Sequence, residues 1–296
     1  MRVRPVLFIL SLFALSCKQK ENSTKRNEPK KKVIDRLNER YYLIRTHFTF
    51  PKLGITVPAN AYVLSSKIPG DSTTMPGVFF PAYNAHHISD DTLSVPDGTQ
   101  CHFSLKNTAL FFNAGSQLAF TDPEDASDFS GEVEIRTGPD EEFNIATGNW
   151  QIKVRPRSIL NMMAYDNEPS VIMALKKGSA TVNSDNAVGV VSTPDEALII
   201  DKTSGRMTTH PYRYADAAAW TNGRLSGKEL NLRDLFRQLE RLYDTHFGGV
   251  GYDSVHGNYM IPYRELTLGD ILGILQRTPG VCPDFRGDSI YMVKKE

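Results

Sequence analysis

The 296 residues carry 34 Lys+Arg and 34 Asp+Glu, with 40% apolar and 23% charged side chains. At roughly 100–200 residues per domain this is about two domains, and the apolar content excludes whole-chain disorder. A zero formal charge argues against a nucleic-acid binder, which needs excess cations to meet phosphates. The zero hides a split, because residues 1–40 hold 11 Lys+Arg against 4 Asp+Glu, a balance of +7 over a body at −7.

Arg2 and Arg4 precede an apolar run from Val6 to Leu15, closed by Ser16 and Cys17. That order is a secretory signal peptide over 1–16. A run of ten residues is half of the ~20 that a membrane-spanning helix requires. A cysteine after a small residue at the end of such a run resembles a bacterial lipobox, which implies lipidation of Cys17. The alternative is an ordinary signal peptide cut nearby, with Cys17 incidental. Residues 17–40, polar and basic with Pro29 and Lys30-Lys31-Lys32, read as a disordered tether. Of the other two cysteines, Cys101 and Cys282 are expected as buried free thiols, since no C-x-x-C spacing occurs.

From about residue 41 to 210, short apolar or alternating runs recur between turn signals. They include Tyr41–Ile44, His47–Phe50, Tyr62–Leu64, His102–Leu105, Ala109–Phe112, Val133–Ile135, Trp150–Val154, Ser170–Leu175 and Ala197–Ile200. The punctuation is Pro69-Gly70, Asp97-Gly98, Gly138-Pro139, Lys177-Gly178 and Ser204-Gly205. This density of strands predicts an all-β sandwich, barrel or roll. Asp122 to Asp128, with four acidic residues and Pro123, reads as a surface loop; its carboxylates lack the register of a calcium loop.

Beyond about residue 212 the pattern changes. Trp220 to Leu225 is a short strand by its composition. Asn231 reads as an N-cap for a helix with Leu232, Leu235, Phe236, Leu239, Leu242 and Tyr243 on one stripe, stopped by Gly248-Gly249. A strand over Tyr259–Tyr263 follows. Thr267 and Asp270 form a capping-box pattern opening a helix with Leu268, Ile271, Leu272 and Leu275 inward, ended by Pro279-Gly280. Strands near Val281–Phe285 and Ser289–Val293 complete a β-α-β-β-α-β-β order, a small α+β domain. The fold class expected is therefore mainly β, an all-β domain followed by a small α+β domain.

Several fragments, in order, carry a resemblance. Leu93-Ser-Val95-Pro96-Asp97-Gly98-Thr99, Asn113-Ala114-Gly115-Ser116-Gln117-Leu118, Phe143–Thr147, Ile152–Val154, Asn161–Tyr165, Leu175–Gly178, Ala219–Leu225, Leu239–Tyr243, Leu268–Leu275 and Ser289–Val293 resemble the periplasmic half of FecR-type transmembrane sensors. Those pair with TonB-dependent receptors and extracytoplasmic sigma factors, and their last domain is similar to the short secretin/TonB N-terminal fold. The resemblance divides the chain into a β extension over 41–90 with no counterpart, a FecR-like all-β domain over 91–212 and a FecR C-terminal domain over 213–296. It departs at Arg157–Asn161 and Ile135–Phe143, where family glycines and acidic-aromatic residues are missing. Only Met1 to Pro5 precede the apolar run, so the family's cytoplasmic anti-sigma segment is expected to be absent.

The motif residues read as structural: Gly98 permits a positive φ in a hairpin turn, and Trp220 and the Leu/Tyr stripe read as core. Asn84 to Asp91, with His86, His87, Asp90 and Asp91, is the one cluster of metal-ligand types. Adjacent histidines of a strand point to opposite faces, and no second ligand pair is suitably spaced, so no metal is expected. Gly248-Gly249-Val250-Gly251 follows a helix instead of opening one and is no phosphate loop. No nucleophile elbow is present, so no catalytic residue, cofactor or enzyme activity is expected. What the resemblance implies is a periplasmic protein, lipid-anchored to the inner or outer membrane of a Gram-negative bacterium. It would bind an envelope partner such as the N-terminal signalling domain of a TonB-dependent receptor, in regulation linked to iron transport. The alternative is a stand-alone structural or glycan-binding envelope lipoprotein.

Overall fold

The computed structural model describes residues 37–50, 53–65, 88–89, 92–185, 187–248, 256–277, 282–286 and 289–293. Strands come first in chain order: β1 (Arg40–Phe50), β2 (Ile55–Ser65), β3 (Ile88–Ser89), β4 (Thr92–Ser94), β5 (Thr99–Leu105), β6 (Thr108–Phe112), β7 (Gln117–Asp122), β8 (Asp125–Ser130) and β9 (Glu132–Arg136). They continue as β10 (Phe143–Thr147), β11 (Trp150–Val154), β12 (Ile159–Met163), β13 (Ser170–Lys177), β14 (Ala180–Ser184), β15 (Ala187–Val191), β16 (Glu196–Asp201) and β17 (Met207–Pro211). Then follow helix α1 (Tyr214–Ala217), a 3-10 turn (Ala219–Asn222), β18 (Leu225–Asn231), α2 (Leu232–Tyr243), β19 (His246–Gly248), β20 (His256–Ile261), α3 (Leu268–Leu275), β21 (Cys282–Arg286) and β22 (Ser289–Val293). The protein is mainly β with a few helices.

Two large sheets pack face to face. One has nine strands in the order β1-β2-β5-β6-β9-β12-β13-β16-β17; the other has eight in the order β15-β14-β11-β10-β8-β7-β4-β3. Period-2 alternation sorts each strand between two environments. Val133 and Ile135 of β9 and Val171, Met173 and Leu175 of β13 enter the sandwich core, where they meet Leu118, Phe120, Phe143, Ile145 and Val182 from the second sheet. Aromatic rings bridge the layers: Phe50 of β1 lies edge-on to Phe120 of β7 with centroids 5.0 Å apart.

The runs Tyr41–Ile44 and His47–Phe50 are halves of one eleven-residue strand, β1, paired along its length with β2. Arg45 and Thr46 lie between the two apolar runs, and local polarity there does not stop a ladder held by backbone bonds. β2 in turn pairs with β5, so β1 and β2 form one edge of the nine-stranded sheet, while β3 pairs with β4 at an edge of the other. The acidic stretch Asp122 to Asp128 is a β-hairpin instead of a loop. Asp122 Oδ1 accepts from the backbone amides of Glu124 and Asp125 at 2.6 and 2.8 Å, building the turn from its own side chain.

In the C-terminal part the order β-α-β-β-α-β-β is present. It forms a β18-β20 pair and a β19-β22-β21 sheet in which β19 and β22 run parallel. All six stripe residues of α2 and all four of α3 are buried. Thr267 and Asp270 make the full capping box, with the Asp270 amide donating to Thr267 Oγ1 at 3.1 Å and the Thr267 amide to Asp270 Oδ2 at 2.9 Å.

Two expectations fail here. Trp220–Leu225 is not a strand: Ala219–Asn222 coil as a 3-10 turn that ends at Gly223 in the left-handed region, and β18 starts at Leu225. The helix α2 stops at Asp244, whose φ is +45°, four residues before Gly248. Aspartate tolerates that conformation because its short polar side chain bonds locally. Pro279-Gly280 lies outside the described residues. Among the described residues no helix is long and apolar enough to cross a membrane.

Candidate functional site: the junction of the sandwich and the α+β unit

The alternation that fills the sandwich also sends polar and aromatic residues to the outer face of the nine-stranded sheet. The C-terminal part covers that face. Tyr41, Tyr62 and Leu64 from β1 and β2 belong to the same apolar cluster as α2 and α3, and Tyr214 and Ala218 pack on Ala174 and Ala197. The contact is therefore part of the folded core of both units.

The turn at Asp97-Gly98 closes no hairpin, contrary to expectation: it carries the chain from β4 in one sheet to β5 in the other, and it is a docking element. Gly98 has φ +70°; its amide donates to the Arg241 carbonyl at 2.7 Å, and its carbonyl accepts from the Leu64 amide at 2.9 Å. Tyr41 donates its hydroxyl proton to the Leu242 carbonyl. The last carbonyls of a helix have no partner within it, so the sandwich supplies caps for α2 from another unit. Arg237 and Arg241, one turn apart on α2, both hold Glu168, at 2.7 and 3.3 Å. Arg241 also lies 3.9 Å over the ring of Tyr165, whose hydroxyl donates to the Ala114 carbonyl at 2.8 Å.

Beneath this rim runs a buried chain of side-chain hydrogen bonds. Arg264 donates through Nε and Nη2 to Gln100 Oε1 at 3.1 and 2.6 Å. Gln100 donates to Asn113 Oδ1 at 2.6 Å, and Asn113 to Glu132 Oε2 at 2.7 Å. Glu132 Oε1 accepts from Asn161 at 3.1 Å, and Asn161 Oδ1 accepts from the Trp220 indole at 3.0 Å. The Tyr263 hydroxyl sits 2.8 Å from Gln100 Oε1 and 2.9 Å from the Trp220 carbonyl, its one proton shared between them. Two donor series converge on Glu132, one from Arg264 through the Gln100 and Asn113 amides and one from the Trp220 indole through Asn161, so within each series one donor polarises the next.

Burial raises the Glu132 carboxyl above the usual range, and donation from Asn113 and Asn161 opposes that rise. A second buried carboxylate, Glu134, accepts from the Tyr214 hydroxyl and from Arg136 Nε at 2.5 Å. Burial and that carboxylate push the Tyr214 phenol far up. At the rim, burial raises Asp97 from 3.8 to about 6, helped by Asp244 and opposed by Arg241.

The residues singled out in the sequence separate cleanly. Asp97, Gly98, Asn113, Ala114, Asn161, Tyr165, Trp220, Arg241, Leu242 and Tyr243 meet at this junction. Cys17, His86, His87, Asp90, Asp91 and Gly249 to Gly251 lie outside the described residues. Cys101 is buried and free as expected, and Cys282 is buried. Gln100, Glu132, Glu168 and Arg264 carry the junction without having been picked out beforehand. The sequence held no signal for them: Glu132-Val133-Glu134-Ile135 alternates as any strand with one face in water does. The arrangement offers no nucleophile beside a base; its polar groups are engaged in holding two units in one geometry.

No family model matches the chain, and no curated protein matches it. Two crystal structures of a candidate anti-sigma factor from Parabacteroides distasonis ATCC 8503 are similar to it. Each has a TM-score of 0.59 and 21% identity, over 69% of this chain and 99% of the other. The likeness is one of fold.

Proposed function

We propose that this chain is an extracytoplasmic recognition module of sigma-factor signalling, of the FecR type, tethered through a lipid on Cys17. In this reading it binds the signalling domain of a TonB-dependent receptor and performs no catalysis. The observation that carries the reading is that several of the fragments resembling FecR sensors, at Asp97-Gly98, Asn113-Ala114, Asn161–Tyr165, Trp220 and Arg241–Tyr243, are brought together at one junction. A junction built this way holds the two units as one composite binding surface. The fold likeness to a candidate anti-sigma factor points the same way.

The test is crosslinking and pull-down of the anchored protein from envelopes, together with sigma-dependent transcription in a deletion strain. Recovery of a receptor signalling domain and altered transcription are expected. Recovery of none, with wild-type transcription, overturns the reading and leaves a stand-alone structural or glycan-binding lipoprotein. Radiolabelled palmitate is expected to enter the wild type and not Cys17→Ala; label in both, or in neither, overturns the anchor.

A further inference from the structure

At the edge of the junction a small cavity of about 50 Å³ opens between the units, lined by Arg264, His102, Tyr62, Thr221, Trp220 and Phe111 among others. On this measure a water requires about 10–15 Å³, so the space takes about three to five waters, or one carboxylate head with a water. Among the described residues, no Asp or Glu lines it.

The charge on its wall is uncompensated. Arg136, Arg237 and Arg241 each hold a carboxylate directly. Arg264 instead lies 3.7 Å over the Tyr62 ring and donates to neutral oxygens: Gln100 Oε1, the Thr221 carbonyl at 3.1 Å and the Trp220 carbonyl at 3.2 Å. These bonds fix the guanidinium without neutralising it, and they use four of its five N–H groups, leaving one on Nη1. His102 holds a second spare donor. Its Nε2 is 2.9 Å from the Asn60 amide nitrogen and its ring stacks on Phe111 with centroids 5.0 Å apart. With Nε2 accepting from Asn60, the proton is assigned to Nδ1, which bonds nothing among the described residues. Arg136 lies 4.3 Å over the other ring in this stack, Phe111, and is engaged with Glu134.

We propose that this cavity is a recognition site for a single carboxylate, held by Arg264 Nη1 and His102 Nδ1 between the rings of Tyr62 and Trp220. The group comes either from a small free acid or from an acidic side chain of a bound protein. The inference stands on the cavity itself and does not require the signalling reading. Burial, Arg264 and Arg136 all lower the His102 pKa at present, so an anion placed beside the ring must move it back up.

The experiment follows the His102 ring signals of the full chain by NMR across pH, assigned with His102→Gln. Additions are about 50 mM acetate, well above a ~1 mM dissociation constant, or chloride at equal ionic strength. Acetate is expected to move the His102 midpoint up by about half a pH unit, or about threefold tighter binding to the protonated ring. Chloride and Arg264→Gln are expected to abolish the shift. A blocked pentapeptide with a central Asp, compared with its Asn counterpart, separates the sources. A shift with acetate assigns the site to free acids, and a shift with the Asp peptide alone assigns it to a partner's side chain. No shift of wild-type His102 with either ligand overturns the proposal, and those arms decide it even where Arg264→Gln does not fold.

Discussion

Replacing Glu132 by alanine tests whether the junction is held by its buried polar chain. Glu132 is 8% exposed and accepts from the amides of Asn113 and Asn161. Neither amide can turn to find another acceptor. Asn113 Oδ1 is fixed by Gln100 and by the Ala114 amide at 2.9 Å, and Asn161 Oδ1 by Trp220. Truncation therefore orphans two buried donors, each costing about 1–3 kcal/mol. Removing a desolvated carboxylate returns part of that, which leaves an expected loss of about 2–4 kcal/mol. Urea unfolding followed by the fluorescence of Trp220, one of two tryptophans, measures it. A loss below about 0.5 kcal/mol refutes the reasoning, because the amides would then have other partners. The sign with pH is also fixed. Glu132 has a folded-state pKa raised above its unfolded value, so its contribution is fully present below the unfolded pKa and is lost as pH rises through the folded one. Glu132→Gln removes that slope, so the wild type gains on this variant as pH falls from 7 toward 5.

Three further outcomes are expected. Leu239→Ala empties a fully buried site in α2 and is expected to cost about 3 kcal/mol, read as earlier proteolytic cleavage of the C-terminal part; a loss under 1 kcal/mol contradicts the packing. Asp97 rises from 3.8 to about 6 on folding, so its contribution is present below about pH 4 and is lost as pH rises to about 6. Asp97→Asn is expected to flatten the melting temperature against pH in that window, and an unchanged profile contradicts it. Cys101, buried with its thiol pushed well above the usual range, is expected to resist Ellman's reagent until denaturant is added; rapid native labelling contradicts its burial.

The parts of the fold set by short-range chemistry were readable from the chain. The stripe from Leu232 to Tyr243, the Thr267–Asp270 box and the Asp97-Gly98 turn depend on neighbours within four residues, and each is where its spacing puts it. The end of α2 was not, because a Gly-Gly pair is a stronger local signal than Asp244, which the chain uses. The Trp220 turn was missed for a similar reason: its aromatic and β-branched residues favour a strand, and the outer sheet face pulls them into a 3-10 turn. The junction was the least legible. Glu132-Val133-Glu134-Ile135 has the alternation of a strand with one face in water, yet Glu134 is 1% exposed because the C-terminal unit lies over it. Alternation distinguishes two faces without saying what covers each. The bonds that matter, such as Tyr263 to Gln100, span 163 positions.

The position of β1 has a mechanical consequence. Just before this strand, the Leu37 carbonyl accepts from the Gly269 amide at 3.0 Å, and within it Tyr41 reaches the end of α2. Its far end carries Phe48 and Phe50 into the sandwich core. Tension entering the protein at residue 37 thus loads the α+β unit before it reaches the sheet. The first bonds to yield would be the few that clasp α2 and α3, and the eleven-residue ladder with β2 would stay closed behind them. A pull on the leading end is therefore felt first at the junction, through the bonds of Leu37 and Tyr41 to α3 and α2.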